Sequence, residues 1–378
     1  MIYLDHNATT PCDARVFEAM RPYLCEQYGN PSSTHQFGRA ARRAIDRARE
    51  QVAALVNARP EQIIFTGGGT EANHLALCGA LQGQPPARVS ISTIEHASVR
   101  GAMECLASQG WQADSIPVDE QCRVMAGRME LHPGTRLVSV MWANNETGAV
   151  QAIPAIAKRT RRHGALFHTD ATQAAGKLAL DFAASGAHLM TLSAHKLYGP
   201  KGVGALVAER ASLLKPMLRG GGQEKGLRAG TENVAGIVGF GAAAEWARLE
   251  LNQRATQWRA LRDRLEEGLR ALGITAFAAG AERLPNTAQF SVPQFAGETL
   301  LEKLDQSGFT LSSGSACSSG RIAPSHVLTA MGMAREQMRN VLRVSLGLDN
   351  SEADITAFLG ALAQLTGSQR VWQAQNVA

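Results

Sequence analysis

Three absences narrow the classes of protein to which this 378-residue sequence can belong. No apolar run approaches about eighteen residues, the length of a membrane-spanning helix, and the longest small and apolar stretch, Val234–Ala244, falls short of it. The six cysteines include no Cys-x-x-Cys pair, which favours reduced thiols over a disulfide framework or a zinc site. The first residues carry neither the cationic leader nor the apolar core of a secretory signal. We therefore expect a cytoplasmic protein without a membrane partner.

Nucleotide-binding patterns are also missing. The sequence contains neither the Gly-x-Gly-x-x-Gly of dinucleotide folds nor the Gly-Lys-Ser/Thr ending of a P-loop, which argues against both ligand classes. The net charge of +5, from 38 basic and 33 acidic residues, is a mild excess. Basic clusters at residues 39–43 and 158–162 lie among alanines in helix-like segments, where a solvated helix face is the usual explanation. A nucleic-acid partner is therefore not expected.

What the sequence does contain is a regular alternation of short apolar runs with helix-like segments. Such alternation is typical of an α/β protein with a mostly parallel sheet covered on both faces. A long helical stretch over 233–272 is predicted to lead into a smaller α+β domain. The expected division is a large domain over residues 15–250 and a small domain formed by residues 1–14 and 251–378. Strands of the large domain are predicted at residues 62–66, 89–93, 137–141, 166–169, 188–192 and 203–207.

Lys196 is the residue around which the candidate site is organised. It follows the predicted strand at residues 188–192 and precedes a Gly-Pro turn, at the sheet edge where α/β proteins bind ligands. Only seven of the 38 basic residues are lysines, so most cationic roles fall to arginine. A surface lysine before a turn is the simpler alternative. What favours a chemical role is the set of residues that follow the other strands.

One of those strands is followed by a glycine turn, and another is followed by a carboxylate. The turn Gly67-Gly68-Gly69-Thr70 can gather backbone N–H groups and a hydroxyl around an anion, although a simple chain reversal is an equal alternative. Asp170 can pair with a protonated ring nitrogen, although capping of the next helix would also explain it. An imine-forming lysine, a carboxylate for a pyridinium and an anion nest at three strand ends together predict pyridoxal phosphate as the cofactor.

Four further positions carry chemistry in this interpretation. His96 follows a strand, where its ring can stack on a cofactor and shuttle protons, and a structural histidine is the alternative. The amide of Asn145 follows another strand and suits hydrogen bonds to cofactor or substrate. Cys317 lies among small polar residues in a loop, as a mobile sulfur nucleophile requires, and an incidental free thiol is the alternative. Arg343, within a predicted strand, is shaped to bind a substrate carboxylate or else a surface acid.

Taken together, the motifs resemble those of the cysteine desulfurases, class V members of the fold type I pyridoxal-phosphate-dependent transferases, and especially the nitrogen-fixation (NifS) type. The resemblance runs nearly from end to end. It implies an enzyme, a sulfurtransferase that removes sulfur from L-cysteine, yields L-alanine and passes the sulfur on for iron–sulfur cluster assembly. It is carried by the segments YLDHNATTP, GNPSSTH, TGGGTEAN, EHASV, MWANNETG, HTDATQAAGK, SAHKLYGPKGVGAL, RAGTEN, SSGSACSSG and LRVSLG.

The resemblance also implies a role for each matching residue. Lys196 would hold the cofactor as an imine and His96 would stack on its ring, and both would move protons. Cys317 would take the sulfur as a persulfide and would be at most a transient ligand of iron–sulfur clusters. L-Cysteine would be bound by Arg343 and Asn145. The other cofactor contacts would come from Gly69, Thr70, Asn145, Asp170, Gln173, Ser193 and His195, and from Thr231 of the partner subunit in a homodimer with its active site at the interface.

Two departures from the family pattern leave parts of this hypothesis open. Gly67 stands where a serine is usual, which gives the phosphate-binding turn more freedom. The chain after Leu365 is short and lacks the extension that housekeeping relatives use to dock a scaffold protein, so the sulfur acceptor is not identified. A selenocysteine lyase is the alternative enzyme, and a non-catalytic scaffold or regulatory protein of the same fold is the alternative of another class. The sequence distinguishes neither nitrogen fixation from general cluster supply, nor cysteine from selenocysteine preference, nor an ordered from a disordered Cys317 loop.

Overall fold

The computed structural model describes residues 1–292, 295, 297–313, 325–338 and 341–367. Helices and strands alternate through most of these ranges. The strands are β1 (Ile2–Tyr3), β2 (Ile63–Thr66), β3 (Arg88–Ser92), β4 (Gln112–Ile116), β5 (Thr135–Ser139), β6 (Leu166–Asp170), β7 (Leu189–Ser193), β8 (Gly204–Ala208), β9 (Thr287–Ser291), β10 (Phe309–Thr310) and β11 (Val341–Ser345). The helices are α1 (Ala14–Cys25), α2 (Gln36–Leu55), α3 (Gly69–His74), α4 (Ala97–Ala107), α5 (Ile153–Arg162), α6 (Phe182–Ser185), α7 (Val234–Leu249), α8 (Leu251–Ala271), α9 (Gly297–Gln306), α10 (His326–Ala330) and α11 (Glu352–Leu365).

A sheet of seven strands, in the order β2-β8-β7-β6-β5-β3-β4, forms the centre of the molecule. Neighbouring strands from β7 to β4 are parallel, and β8 runs antiparallel to β2 and β7. Successive side chains of a strand point to opposite faces, so Ile63 and Phe65 join the apolar core on one face and Ile64 joins the core on the other. The prediction of a mostly parallel α/β sheet covered on both faces is confirmed.

One of these faces is closed by the packing of α7 on α2, which requires a glycine. A Cβ atom at Gly241 would lie 2.6 Å from the Cα of Ala48, closer than side chains approach a backbone. Phe65 and Phe240 meet edge to face beside this contact, with ring centroids 6.3 Å apart. The close approach of α7 and α2 therefore covers this face of the sheet.

A further apolar core, apart from those on the two sheet faces, gathers residues from both ends of the chain, among them Leu4, Trp258, Phe290 and Phe358. Here β11 pairs antiparallel with β9, while β1 pairs parallel with β10. The first strand is therefore built into the C-terminal part of the molecule. This arrangement carries the segment that follows β1 to the boundary between the two cores.

Two details of the fold differ from the sequence predictions. The helical stretch predicted over 233–272 is present, but it consists of two helices, because the chain leaves helical geometry at Glu250 between α7 and α8. Ion pairs from the Glu250 carboxylate to Arg15 and Arg254 hold this break. Strand β4 was not predicted because it is a largely exposed edge strand without an apolar run. None of the helices in the described ranges combines the length and apolar character needed to cross a bilayer.

The topology brings five strand ends to one edge of the sheet. Strands β3, β5, β6 and β7 are parallel, and β2 shares their direction because both β2 and β7 are antiparallel to β8. The loops that follow these five strands therefore emerge side by side. They contain the glycine turn, His96, Asn145 and Lys196, and Asp170 is the last residue of β6. The residues for which the sequence predicts chemistry therefore meet at one edge of the sheet.

Candidate active site

A cavity of about 270 Å³ opens at this edge of the sheet. It collects nine of the residues that the sequence analysis assigned to cofactor, substrate or catalysis. Four strand ends and the glycine turn supply them, although the residues are spread over more than a hundred positions of the chain. Those nine residues are Gly69, Thr70, His96, Asn145, Asp170, Gln173, Ser193, His195 and Lys196.

Asp170 is the last residue of β6 and lies in the wall of the cavity. Its Oδ1 accepts a hydrogen bond from the backbone N–H of Thr172 at 3.0 Å, and its Oδ2 accepts one from Asn73 Nδ2 at 2.8 Å. The side chain therefore caps the following turn and still lines the cavity. A carboxylate in this place is suited to oppose a cationic ring nitrogen.

Lys196 reaches the cavity from a single helical turn that follows β7. Its Nζ donates hydrogen bonds to the carbonyl oxygens of Asn7 at 2.5 Å and Ala8 at 2.7 Å. These carbonyls belong to the segment after β1, for which the sequence analysis assigned no function. The amine is thus aimed by a segment that lies 189 residues away along the chain from Lys196.

His195 and the same N-terminal segment define the side of the cavity next to the glycine turn. His195 Nδ1 lies 3.1 Å from Thr9 Oγ1, and the backbone N–H of Thr10 donates to the His195 carbonyl. Burial, together with the nearby charges of Lys196 and Lys201, lowers the pKa of His195 to about 4. This imidazole is therefore neutral at physiological pH and acts as a hydrogen-bonding group rather than a fixed positive charge.

The glycine turn leaves room for an anion beside His195. Gly68 has a φ of 152°, a conformation that glycine adopts more readily than other residues. A Cβ atom at Gly69 would lie 3.3 Å from Thr172 Oγ1 and 3.4 Å from the Cβ of Ser193, so a side chain there would crowd this space. Among the described residues, the buried Thr172 Oγ1 has no hydrogen-bond partner. These groups fit pyridoxal phosphate: the unsatisfied Thr172 hydroxyl and the glycine backbone suit its phosphate, and the Asp170 carboxylate suits its ring nitrogen.

Gln173 belongs to a buried network that the sequence analysis did not foresee. Its Nε2 donates to the Asn7 carbonyl at 2.9 Å, and its Oε1 accepts from Lys177 Nζ at 2.9 Å. Lys177 also donates to Asn7 Oδ1 at 3.1 Å. Burial, aided by the charges of Lys196 and Arg343, holds the pKa of Lys177 well below its usual range. The only sequence signal was a lysine four residues after Gln173.

Arg343 lies in the middle of β11 and is 2% exposed. Its Nη2 forms an ion pair with Asp5 Oδ1 at 2.6 Å, and its Nη1 donates to the carbonyl oxygen of Asn145 at 3.0 Å. The buried Nε has no hydrogen-bond partner within the part of the chain that the structure describes. Arg343 is therefore joined to the cavity through Asn145, whereas the described cavity wall itself includes Asn145 and not Arg343.

The structure bears differently on the last two predicted site residues, Thr231 and Cys317. Thr231 is exposed and is not part of the cavity wall within this single chain, which agrees with its assignment to a partner's site but does not test it. Cys317 falls in the range 314–324, outside the described residues. Its role as sulfur nucleophile and its part as a transient iron–sulfur ligand stay predictions.

A second buried carboxylate next to the site was also missed. Glu95 accepts hydrogen bonds from Ser92 Oγ at 2.5 Å and from the backbone N–H of Met141 at 2.7 Å, which ties the end of β3 to the segment after β5. Burial, with a smaller contribution from Asp170, raises the pKa of Glu95 to about 8. Glu95 is therefore a neutral acid at pH 7 and holds the segment that positions His96.

Comparison with known proteins agrees with this geometry. Residues 2–358 match the family model for aminotransferase class-V. The chain is 45% identical over 364 residues to cysteine desulfurase 2 of Trichormus variabilis, covering 95% of this chain and 91% of that protein. It is 42% identical to cysteine desulfurase NifS of Azotobacter vinelandii, with coverage of 94% and 90%.

Solved structures show the same similarity. A NifS-like protein superimposes with a TM-score of 0.90 at 34% identity, covering 97% of this chain and 99% of that one. A structure described as SspA in complex with cysteine superimposes with a TM-score of 0.81 at 32% identity, covering 92% of this chain and 99% of that chain. The fold type I architecture inferred from the motifs is confirmed.

Proposed function

The chain belongs to the class-V aminotransferase family, and on that premise we propose that it is a pyridoxal-phosphate-dependent cysteine desulfurase, a sulfurtransferase that converts L-cysteine to L-alanine. The observation that carries the proposal is one cavity whose wall contains Lys196, Asp170, His96 and the end of the glycine turn. A lysine, a carboxylate and an anion nest in one cavity suit the aldehyde, the ring nitrogen and the phosphate of this cofactor.

The residues around the cavity would divide the work as follows. Bound pyridoxal phosphate supplies an electron sink for negative charge on the substrate Cα. Asp170 opposes the ring nitrogen and keeps it protonated, and Gln173 adds an amide to the same wall. Lys196 Nζ takes the proton from Cα. Its hydrogen bonds to the Asn7 and Ala8 carbonyls favour this role because they hold the amine at the cavity.

Sulfur transfer requires a thiolate, which we assign to Cys317. Its Sγ attacks the sulfur of the bound cysteine, an S–S bond forms as the Cβ–S bond breaks, and the bonding electron pair remains with the carbon. Protonation at Cβ then gives the methyl group of alanine, while the proton of the Cys317 thiol is taken up by a base. The product on the enzyme is a Cys317 persulfide, which a thiol of a sulfur-acceptor or iron–sulfur scaffold protein can attack in turn.

Substrate recognition falls to Arg343 and Asn145 in this proposal. The Arg343 guanidinium is buried and ion-paired with Asp5, and its contact with the Asn145 carbonyl brings it next to the cavity. A guanidinium in this place can bind an α-carboxylate bidentately.

The proposal includes a homodimer whose partner subunit supplies Thr231. Four large apolar side chains on α1, α2 and the loop between them are exposed, namely Phe17, Leu24, Tyr28 and Phe37. Exposed apolar residues grouped in this way are characteristic of protein interfaces. We expect Tyr28→Asp to increase the monomer fraction in light scattering, and Thr231→Ala to raise the pyridoxal phosphate concentration needed for saturation.

The remaining parts of the proposal concern organisation and location. The division into residues 15–250 and residues 1–14 with 251–378 is supported by an apolar cluster around the seven-stranded sheet and another built from residues of both chain ends. We place the enzyme in the cytoplasm, where reduced thiols such as the described free cysteines persist.

The test is the colour and the products of the purified protein. We expect a visible absorbance band from bound pyridoxal phosphate, and alanine formed from L-cysteine in equal amount to the sulfur released. Cys317→Ala should keep the band and lose sulfur transfer, while Cys25→Ala, which removes an exposed cysteine on α1, should change neither.

Two results would contradict the proposal in different ways. If no such band appears even after pyridoxal phosphate is added, the assignments of the cofactor and of the enzyme class are wrong. If Cys317→Ala keeps full sulfur release, the assignment of a Cys317 persulfide is wrong and selenocysteine lyase, the alternative enzyme, is favoured. Activity with selenocysteine as substrate would then test that alternative.

A further inference from the structure

A chain of hydrogen bonds runs through the cavity wall from Asp170 to His96. Asn73 Nδ2 donates to Asp170 Oδ2 at 2.8 Å and to Ser98 Oγ at 2.8 Å. Ser98 Oγ lies 2.8 Å from His96 Nδ1. The same four residues line the cavity. Neither Asn73 nor Ser98 has a role in the function proposed above.

The chemistry of each group sets the direction of this chain. The Asp170 carboxylate only accepts hydrogen bonds, so the Asn73 amide must turn its NH₂ group toward it. The second N–H of that NH₂ then points to Ser98 Oγ, which becomes an acceptor. The Ser98 hydroxyl has one proton of its own, and that proton is directed to His96 Nδ1. Every donor along the chain therefore points away from Asn73, toward Asp170 at one end and toward His96 at the other.

A second contact fixes the state of the histidine. His96 is the N-cap of α4, and the backbone N–H of Ser98 donates to His96 Nδ1 at 3.1 Å. A backbone N–H cannot face a protonated ring nitrogen, so Nδ1 is an acceptor and the proton of the neutral ring is on Nε2. Ser98 thus holds Nδ1 with both its backbone and its side chain.

We propose that Asn73 and Ser98 are positioning residues that link the Asp170 carboxylate to the His96 imidazole and hold His96 with its proton on Nε2. The role of His96 in turnover rests on the proposed function, whereas its protonation pattern does not. In this arrangement the neutral imidazole acts first as a hydrogen-bond and proton donor from Nε2. A role as proton acceptor follows only after that proton has been given away.

Burial explains why the link is specific. Asn73 is 1% exposed, and its Oδ1 has no partner among the described residues, so the NH₂ group alone makes its polar contacts. Ser98 is also buried. Loss of the Ser98 hydroxyl would leave one N–H of the buried Asn73 amide without its protein acceptor, which makes the pair act as a unit.

The test reads the histidine ring directly in the full-length protein with its cofactor. Histidine-selective ¹⁵N labelling and two-bond ¹H–¹⁵N correlation at pH 8 distinguish the two neutral forms of each of the ten histidines, and His96→Gln identifies the His96 signals. We expect the Nε2-protonated pattern for His96. A predominantly Nδ1-protonated His96 would overturn the proposal, whether or not the protein releases sulfur from cysteine.

Variants then test the link itself. Ser98→Ala should shift the ratio of the two neutral forms about fivefold toward Nδ1 protonation, the effect of about one buried hydrogen bond, and should lower kcat about three- to tenfold with little change in KM. Ser98→Thr, which keeps the hydroxyl, should restore both values. Ser90→Ala is the matched control, because Ser90 is also buried but its hydroxyl makes no hydrogen bond in the described structure.

A double-mutant cycle tests the step through Asn73. If the chain is continuous, Asn73→Ala should cost less when added to Ser98→Ala than when made alone, because the Asn73–Ser98 hydrogen bond is already lost and only the bond to Asp170 remains to be removed. Fully additive effects on kcat and on the ratio of neutral forms would contradict the link. So would a Ser98→Ala protein whose His96 spectrum and kcat match those of Ser90→Ala.

Discussion

The surroundings of Lys196 and Lys177 differ although both lysines bind Asn7. Lys196 is half-buried, lines the cavity and donates to backbone carbonyls of Asn7 and Ala8. Lys177 is fully enclosed and donates to the side chains of Asn7 and Gln173. Backbone carbonyls at a cavity leave an amine accessible to react, whereas an enclosed amine can only organise its neighbours.

The comparison also shows how much depends on Asn7. Its carbonyl accepts from Lys196 and Gln173, its Oδ1 accepts from Lys177, and its Nδ2 donates to Thr287 Oγ1 at 2.9 Å. Asn7 therefore connects the first segment of the chain with β9 and with the segments that follow β6 and β7. Lys177 therefore helps to keep Asn7 and Gln173 in place beside Lys196.

The largest expected effect is that of Lys196→Ala. We expect the visible band of bound pyridoxal phosphate to disappear and kcat to fall about a thousandfold or more, because both the covalent attachment and the Cα proton acceptor are removed. Absorbance spectra and alanine formation measure this. Retention of the band at normal intensity would show that another lysine holds the cofactor.

Lys177→Met should have a smaller and different effect. The band should persist, while kcat falls about ten- to a hundredfold, because Gln173 and Asn7 lose a shared donor and shift relative to the cavity. Lys158→Met, at an exposed lysine on α5, is the matched control and should match the unsubstituted protein. Loss of the band in Lys177→Met would mean that the two lysines share one function.

The third expected effect is on the pH dependence of stability. Because the pKa of Lys177 is lowered in the folded state, the unfolded chain binds its proton more readily, and folding is favoured as the pH rises. This contribution is complete above about pH 10.4, the usual lysine pKa, and is lost as the pH falls toward the folded-state pKa. Urea unfolding between pH 7 and 10 should show a steeper rise for the unsubstituted protein than for Lys177→Met. Parallel curves would contradict the assignment.

The smallest effect is expected at Glu95, with the opposite sign. Its pKa rises from 4.5 to about 8 on folding, so the folded protein keeps a proton that the unfolded chain releases. Its contribution to the free energy of unfolding should therefore decrease as the pH rises from 4.5 to 8. Glu95→Gln should remove this decrease. An unchanged pH profile in urea unfolding would show that Glu95 is ionised in the folded protein.

Much of this fold could be predicted from sequence because its strands are buried on both faces. Short runs rich in apolar residues therefore mark β2, β5, β7 and β8, and Leu166-Phe167 marks the start of β6, so the predicted ends lie within two residues of the observed ones. The edge strand β4 carries no such run, since most of its side chains face solvent. The break between α7 and α8 depends on ion pairs of Glu250 with Arg15 and Arg254, one of them remote in sequence, so local helix propensity could not show it.

The candidate site divides in the same way. The positions of Lys196, Asp170, His96 and the glycine turn follow from sequence alone, because parallel strands deliver the residues after them to one edge. Only the tertiary structure shows that Asn7 aims Lys196 or that Asn73 and Ser98 join Asp170 to His96. These contacts depend on distances near 3 Å between segments that lie up to 189 residues apart. Hydrogen bonds of that kind require a folded chain, since no sequence pattern encodes the separation of two side chains on different elements.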